Sequence, residues 1–181
     1  TDFTGILFGY WDFLGAKLVI QDEALFNKPN TQKIADVVKE KELKLWKTKP
    51  PYMRFCDADL ITVADLNTSH KLEFSQTKKD DLENAVNSVR LFIEDGKIII
   101  DPKCKNLLSQ IHNATWDTTR SKFKRTEGKG HYDLLAALVY MVRNIHRQRN
   151  PYPPGLGLNI ATMFIPADSK TSDSHKSIGK A

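Results

Sequence analysis

The stretch Lys129-Gly130-His131-Tyr132-Asp133-Leu134-Leu135-Ala136-Ala137-Leu138-Val139-Tyr140-Met141-Val142-Arg143-Asn144-Ile145 decides how this chain is read. Leu135, Leu138, Val139, Val142 and Ile145 recur at helical spacing, so they form one apolar face that must pack on a core. Asp133 stands at the entrance to that helix. A carboxylate on the first turn of a packed helix is held in a fixed direction, which suits a metal ligand. The simpler reading of the same residue is that an acid in a first turn interacts favourably with the helix dipole.

Working outward, a second group of acids lies upstream. Tyr52 to Cys56 reads as a buried strand, and Asp57-Ala58-Asp59 follows it directly, ahead of a short helix carrying Leu60, Ile61, Val63, Ala64 and Leu66. Acids at the C-terminal end of a strand lie where ligand sites gather in sheets flanked by helices, because the loops open a crevice there.

The elements around these two points follow from periodicity and turn chemistry. Phe3 to Tyr10 and Lys17 to Ile20 are rich in β-formers, and Asp12 to Gly15 supplies a turn, so they make an antiparallel pair. Thr31 is the expected cap of a helix whose Ile34, Val37, Val38 and Leu45 face inward, ended by the Lys47 to Pro51 stretch. Leu72 to Ser75 is the next strand. Lys78 to Asp81 opens a helix with Leu82, Ala85, Val86, Val89 and Ile93 on one face, closed by Gly96. Lys97 to Ile100 is a short strand, after which Asp101 caps and Pro102 starts a helix bearing Cys104, Leu107, Leu108 and Ile111.

Between Trp116 and Arg125, the cations Arg120, Lys122 and Lys124 alternate with Ser121 and Phe123, giving a strand or hairpin arm one basic face. Two meanings stay open. The arm is either a solvated edge strand, where lysine discourages aggregation, or a phosphate-contacting arm extended by Arg125 and Lys129.

Composition sets wider bounds. The 181 residues suit one domain with a proper core, and the net charge of +5, from 27 basic and 22 acidic residues, leans toward a polyanionic partner without establishing one. Cys56 and Cys104 lie in apolar segments without a CxxC partner, which indicates neither zinc nor a disulfide framework and points to a reducing compartment. No apolar run approaches the roughly 20 residues of a membrane span, no basic-then-apolar leader opens the chain, and the glycosylation patterns at Asn67 and Asn113 are read as chance. From Pro151 the character changes to Pro/Gly and then polar residues, so residues 1–150 are expected to form the domain and 151–181 a mobile tail in which Ile160 to Ile165 is one short docking segment at most.

Two antiparallel strands, a helix, a strand ending in acids, and further strand and helix units ending in an acid-bearing helix suggest an α/β domain of the ribonuclease H-like class, a mixed sheet flanked by helices. That fold begins with three antiparallel strands. Two are counted here before the first helix, so the first strand and its carboxylate are expected to be missing from the chain as given.

Within this order, Asp2 to Ile6, Leu18 to Glu23, Thr77 to Asp81, Ile98 to Cys104, and Gly130 to Leu134 through Val142 to Ile145 together resemble the nuclease domain of a tailed-bacteriophage terminase large subunit. The similarity spans most of residues 1–150. Such subunits are DNA-packaging motors, in which an ATPase feeds viral DNA into a procapsid and a nuclease cuts the concatemer. No GxxxxGK[ST] phosphate loop occurs here, so the expected ATPase domain of the same polypeptide is absent from this chain.

The resemblance implies three acids around two divalent ions, Mg2+ or Mn2+. Asp57 matches the second acid and Asp133 the third, with Asp59 left open as a second ligand or hydrogen-bonding partner. Asp2 resembles a nearby supporting acid and is equally a turn residue. His131 is read as orienting water or phosphate, or as a plain surface histidine; Lys78 or Lys79 as contacting phosphate, or as a solvated helix-start charge. Implied partners are double-stranded DNA, bound mainly through its backbone by Arg120, Lys122, Lys124, Arg125 and Lys129, and the portal and small terminase subunit. The implied location is the cytoplasm of the infected bacterium, at the procapsid portal. Two rival readings remain: a junction resolvase or transposase-like nuclease of the same fold, and a catalytically silent DNA-binding or assembly module.

Overall fold

The computed structural model describes residues 3–115, 123–124 and 132–147. The chain divides into two units, Thr1–Asn150 and Pro151–Ala181, and all described residues lie in the first. The proposed tail therefore lies outside the described residues.

The elements run β1 (Phe3–Asp12), β2 (Lys17–Asn27), α1 (Thr31–Trp46), β3 (Arg54–Cys56), α2 (Leu60–Thr68), β4 (Phe74–Gln76), α3 (Leu82–Glu94), β5 (Ile98–Ile100), α4 (Lys105–Asn113) and α5 (Asp133–Asn144). Strands β1 and β2 pair antiparallel and β5 adds to β2 in parallel, so this sheet is mixed, in the order β1-β2-β5. Strands β3 and β4 form a second, parallel pair. The expected single sheet is thus two among the described residues, because no described strand links β1 to β3. Each of those strands has an edge with no described neighbour, and α5 packs on both of them.

Strand β2 runs well past Ile20, where sequence alternation ends it. The reason is a bulge. Gly9 pairs with Ile20 and Phe8 with Asp22, leaving Gln21 as an extra residue on β2. One extra residue reverses which face the following side chains occupy. Leu18 and Ile20 accordingly join the core made with Val89 of α3, Leu107 of α4 and Leu134, Leu135, Leu138, Val139 and Val142 of α5. Beyond the bulge Ala24 instead meets Phe8, Ala35, Val37 and Val38 of α1, and Leu66 of α2, in a second core. Helices therefore cover both faces of the sheet, as a mixed α/β domain requires. The Gln21 side chain at the bulge accepts a hydrogen bond from the Trp46 indole at 2.8 Å, fastening the end of α1.

Several local expectations are corrected. Asn30, not Thr31, caps α1, its side chain accepting from the Lys33 amide at 2.8 Å. The Tyr52 to Cys56 strand shortens to Arg54–Cys56, with Tyr52 and Met53 exposed. Arg54 explains where it starts: its guanidinium grips both Glu42 carboxylate oxygens at 2.7 Å, tying β3 to α1. Leu72 to Ser75 moves on to Phe74–Gln76, because Asn67 pairs with both backbone groups of Phe74. Helix α3 starts at Leu82, after Asp81 in left-handed backbone. Asp101 holds a turn by accepting from the Lys103 amide, and α4 begins only at Lys105. Its amides at Asn106 and Leu107 donate to Glu23 of β2 at 2.9 and 2.8 Å, a cap from a distant strand that no local motif announces.

Glycine fixes how closely α5 approaches the sheet. A Cβ at Gly5 of β1 would lie 2.7 Å from both the Asp133 carbonyl carbon and the Leu134 nitrogen. Only hydrogen fits between that strand and the start of α5. Gly5→Ala is expected to destabilise the domain by about 1–3 kcal/mol, as overpacking does, measured by urea unfolding of the two proteins.

Candidate active site

Asp133 is the first residue of α5, and its Oδ2 is buried. As an acid in the first turn, Asp133 interacts favourably with the helix dipole, whatever else it does. That turn is served from elsewhere: the Leu134 and Leu135 amides both donate to the Gln110 side-chain oxygen of α4 at 3.0 Å. Tyr132, before the helix, donates its hydroxyl to the Asn113 carbonyl at 2.9 Å, and its ring meets Phe123. The helix entrance is thus built by α4 and by Gly5, and the carboxylate is not what caps it.

Asp57 lies just past β3 and is about half exposed. The Tyr140 hydroxyl of α5 donates to its Oδ2 at 3.3 Å, and the Lys79 ammonium stands 3.7 Å from the same oxygen. Burial, followed by the charge of Asp57, pushes the Tyr140 hydroxyl up to about 12, so it remains a donor across physiological pH. Tyr140 follows Asp133 by two helical turns on the same face, about 10 Å along the axis. One helix therefore carries one acid and touches the other.

Asp59 has a different occupation. Its carboxylate caps α2, accepting from the Ile61 and Thr62 amides at 3.0 Å and from the Thr62 hydroxyl at 2.7 Å. The Thr62 amide and hydroxyl hold its carboxyl below the usual aspartate range. Of Lys78 and Lys79, it is Lys79 that reaches Asp57. The Lys78 carbonyl instead accepts from Arg143 of α5 at 3.1 Å.

Asp2, Arg120, Lys122, Arg125, Lys129 and His131 lie outside the described residues. Lys124 is described and exposed, its amide donating to the Thr115 carbonyl at 2.7 Å. Among the described residues no three of His, Cys, Asp and Glu group as a metal set. The two acids still have the hard oxygen donors that magnesium and manganese take, and Asp57 is open to a ligand. Tyr140, Gln110 and Arg143 were missed from sequence. Tyr140 could have been found from its place two turns beyond Asp133 on one helix face; Gln110 and Arg143 act between elements and leave no local signal.

These acids sit on a mixed α/β fold with helices flanking the sheet. No protein-family model matches the chain, and no curated protein matches it. Solved structures of phage large terminases do match. The nuclease domain of the large terminase from bacteriophage SPP1, with bound Mn, aligns with a TM-score of 0.57 at 16% identity, covering 78% of this chain and 78% of that one. The large terminase nuclease from thermophilic phage G20c aligns with a TM-score of 0.56 at 15% identity, covering 79% and 76%. The large terminase from another thermophilic bacteriophage aligns with a TM-score of 0.62 at 16% identity, covering 78% of this chain. This chain spans 37% of the length of that last protein. At these identities the likeness is one of fold, and it extends across most of the chain. Among the described residues no helix is long and apolar enough to cross a membrane.

The Asp59 cap makes a pH prediction. Because its folded carboxyl titrates lower than an ordinary one, its stabilising effect is complete above the unfolded value of about 3.9 and is lost as pH falls through the lower folded value. Asp59→Asn, which keeps an acceptor oxygen but cannot titrate, should flatten the acid limb of stability measured by urea unfolding from about pH 6 to about pH 3.

Proposed function

We propose that this chain is the metal-dependent endonuclease domain of a viral DNA-packaging terminase, cutting concatemeric double-stranded DNA by phosphodiester hydrolysis. The observation that carries this reading is that α5 bears Asp133 and holds Asp57 through Tyr140, on a fold shared with terminase nucleases. Asp57 and Asp133 would hold two divalent ions, Mg2+ or Mn2+, and the bound manganese of the SPP1 domain and the cobalt of a G20c crystal support that chemistry. When bound, such ions lower the pKa of water and offset charge on the attacking and leaving oxygens.

The chain's own residues have separate tasks. Tyr140 orients Asp57, and the Lys79 ammonium beside it offsets charge as a phosphate approaches. Asp2 is a further candidate ligand, His131 a candidate for orienting water or phosphate, and Lys78 a weaker candidate for phosphate contact. Asp59 is kept only as an outer partner, since its oxygens cap α2. We also propose that a strand bearing a further acid enters between β1 and β3, joining the two sheets into one; the edges of these strands that have no described neighbour, both against one helix, support this. In the whole protein, an ATPase domain, the portal and the small terminase subunit would be partners, working in the cytoplasm of the infected cell at the procapsid portal. Structures of a thermophilic-phage large terminase with ADP and with ATP-gamma-S support a nucleotide-using neighbour.

The test is nicking and linearisation of supercoiled plasmid with manganese, magnesium or EDTA. Cutting should require metal and fall about 100-fold or more in Asp57→Asn and in Asp133→Asn. Metal-independent cutting, or activity untouched by both substitutions, would contradict the proposal. A protein that binds DNA but never cuts it would leave a missing acid-bearing strand or the silent binding module, which adding upstream residues separates, and a strong preference for branched DNA would favour the resolvase reading.

DNA contact by Arg120, Lys122, Lys124, Arg125 and Lys129 would be mainly electrostatic. Neutralising Arg120, Lys122 and Lys124 together should weaken binding at low salt and reduce the slope of log K against log[salt] by about 2.7, at about 0.9 per phosphate contact. An unchanged slope in a filter-binding titration would remove the arm from the interface.

A further inference from the structure

The last turn of α5 makes a set of bonds that the acids themselves do not require. Arg143 donates to the Lys78 carbonyl at 3.1 Å, to the Asp80 carbonyl at 2.6 Å and to the Asp80 carboxylate at 2.8 Å. Next to it, the Asn144 amide donates to the Thr77 hydroxyl at 2.8 Å, and Thr77 is buried. All four acceptors belong to residues 77–81, the turn between β4 and α3. Lys79 lies in the middle of that turn, 62% exposed, with its ammonium 3.7 Å from Asp57.

We propose that Arg143, helped by Asn144, is a positioning residue that docks the 77–81 turn on α5 and so sets the Lys79 ammonium beside the Asp57 carboxylate. This deepens the nuclease reading and rests on it.

The physical case begins with the turn. Asp81, at its end, has left-handed backbone with φ of 53° and makes no side-chain cap on α3. A non-glycine residue holds that conformation only where surrounding contacts over-determine it. The turn's start is tied by the Thr77 amide to the Cys56 carbonyl at 2.9 Å, immediately before Asp57. Its middle is tied by Arg143. A guanidinium offers five N–H groups in a rigid plane and can serve two carbonyls and a carboxylate at once; an ammonium on a flexible stem cannot hold that pattern. With both ties in place, Lys79 is carried on backbone fixed to the same helix as Asp133 and Tyr140. The spacing between one cation and two acids is then set by one rigid element, which is what a phosphate entering the site meets.

The test uses Arg143→Gln, Arg143→Lys, Lys79→Gln and the Lys79→Gln/Arg143→Gln double variant in the full chain, with the thermal midpoint checked for each. Two readouts are taken. The first is limited trypsin digestion, followed by mass spectrometry at Lys78 and Lys79. Docking predicts that Arg143→Gln speeds cleavage there about 10-fold with global stability held, and that Arg143→Lys does not restore protection. The second is kcat and KM for manganese-dependent plasmid nicking. Arg143→Gln should lower kcat about 10-fold with KM within about twofold, and the double variant should be no slower than Lys79→Gln alone, because both changes act through one ammonium.

Unchanged trypsin protection in Arg143→Gln would overturn the proposal, as would full protection in Arg143→Lys or losses that multiply in the double variant. If the parent protein cuts no DNA with metal, that result bears on the completeness of the nuclease site and not on the docking, and the trypsin result alone decides whether Arg143 docks the turn.

Discussion

The tightest constraint in this domain is the meeting of two backbones, β1 at Gly5 and α5 at Asp133 and Leu134. A side chain of even one carbon on that strand residue would overlap the helix, so the approach depends on glycine. Everything about the site depends on where this contact puts α5. Leu134, Leu135, Leu138, Val139 and Val142 then fill the core over β2, and Gln110 takes the amides that a helix start leaves over. Asp133 is delivered at the sheet face with its Oδ2 buried, and the opposite end of the same helix reaches Asp57 and the 77–81 turn.

The second constraint is the bulge at Gln21. By reversing the faces of β2 halfway along, it lets one strand feed both cores, with α3, α4 and α5 on one side and α1 and α2 on the other. Glu23 lies just past the bulge, where its carboxylate reaches α4. Asp22, beside it, pairs with Lys41 of α1 at 2.9 Å. Burial pushes the Asp22 carboxyl upward, but the Lys41 bond, the Glu23 amide and the charges of Lys41 and Lys103 outweigh it and leave the carboxyl below its ordinary range. Neighbouring acids on one strand thus secure helices on opposite faces.

Much of this was legible in the sequence because its signals are local. The α5 face, the antiparallel pair, the order of helices and strands, and the position of Asp57 after a strand all follow from periodicity and turn residues. The bulge was not legible, since Gln21 interrupts alternation in the same way that a strand end does. Nor were the caps from Glu23 and Gln110 or the bonds from Tyr140 and Arg143, which join residues far apart in the chain. Asp59 shows the limit from the other side: in sequence Asp57 is preferred because it follows the strand directly, yet Asp59 stays open as a second ligand, and only the bonds to Ile61 and Thr62 assign its carboxylate to the α2 cap.

The fold is that of phage large-terminase nucleases across most of the chain, and the site reading rests on two acids organised by one helix. Direct metal binding tests that organisation without depending on cutting. Calorimetric titration of the full chain with Mn2+ should give saturable binding that weakens about 10-fold or more in Asp57→Asn and equally in Asp133→Asn, as the proposed shared site requires. Binding that survives both substitutions unchanged would contradict the account, placing the metal elsewhere and leaving Asp133 and Asp57 as incidental acids on and beside a structural helix.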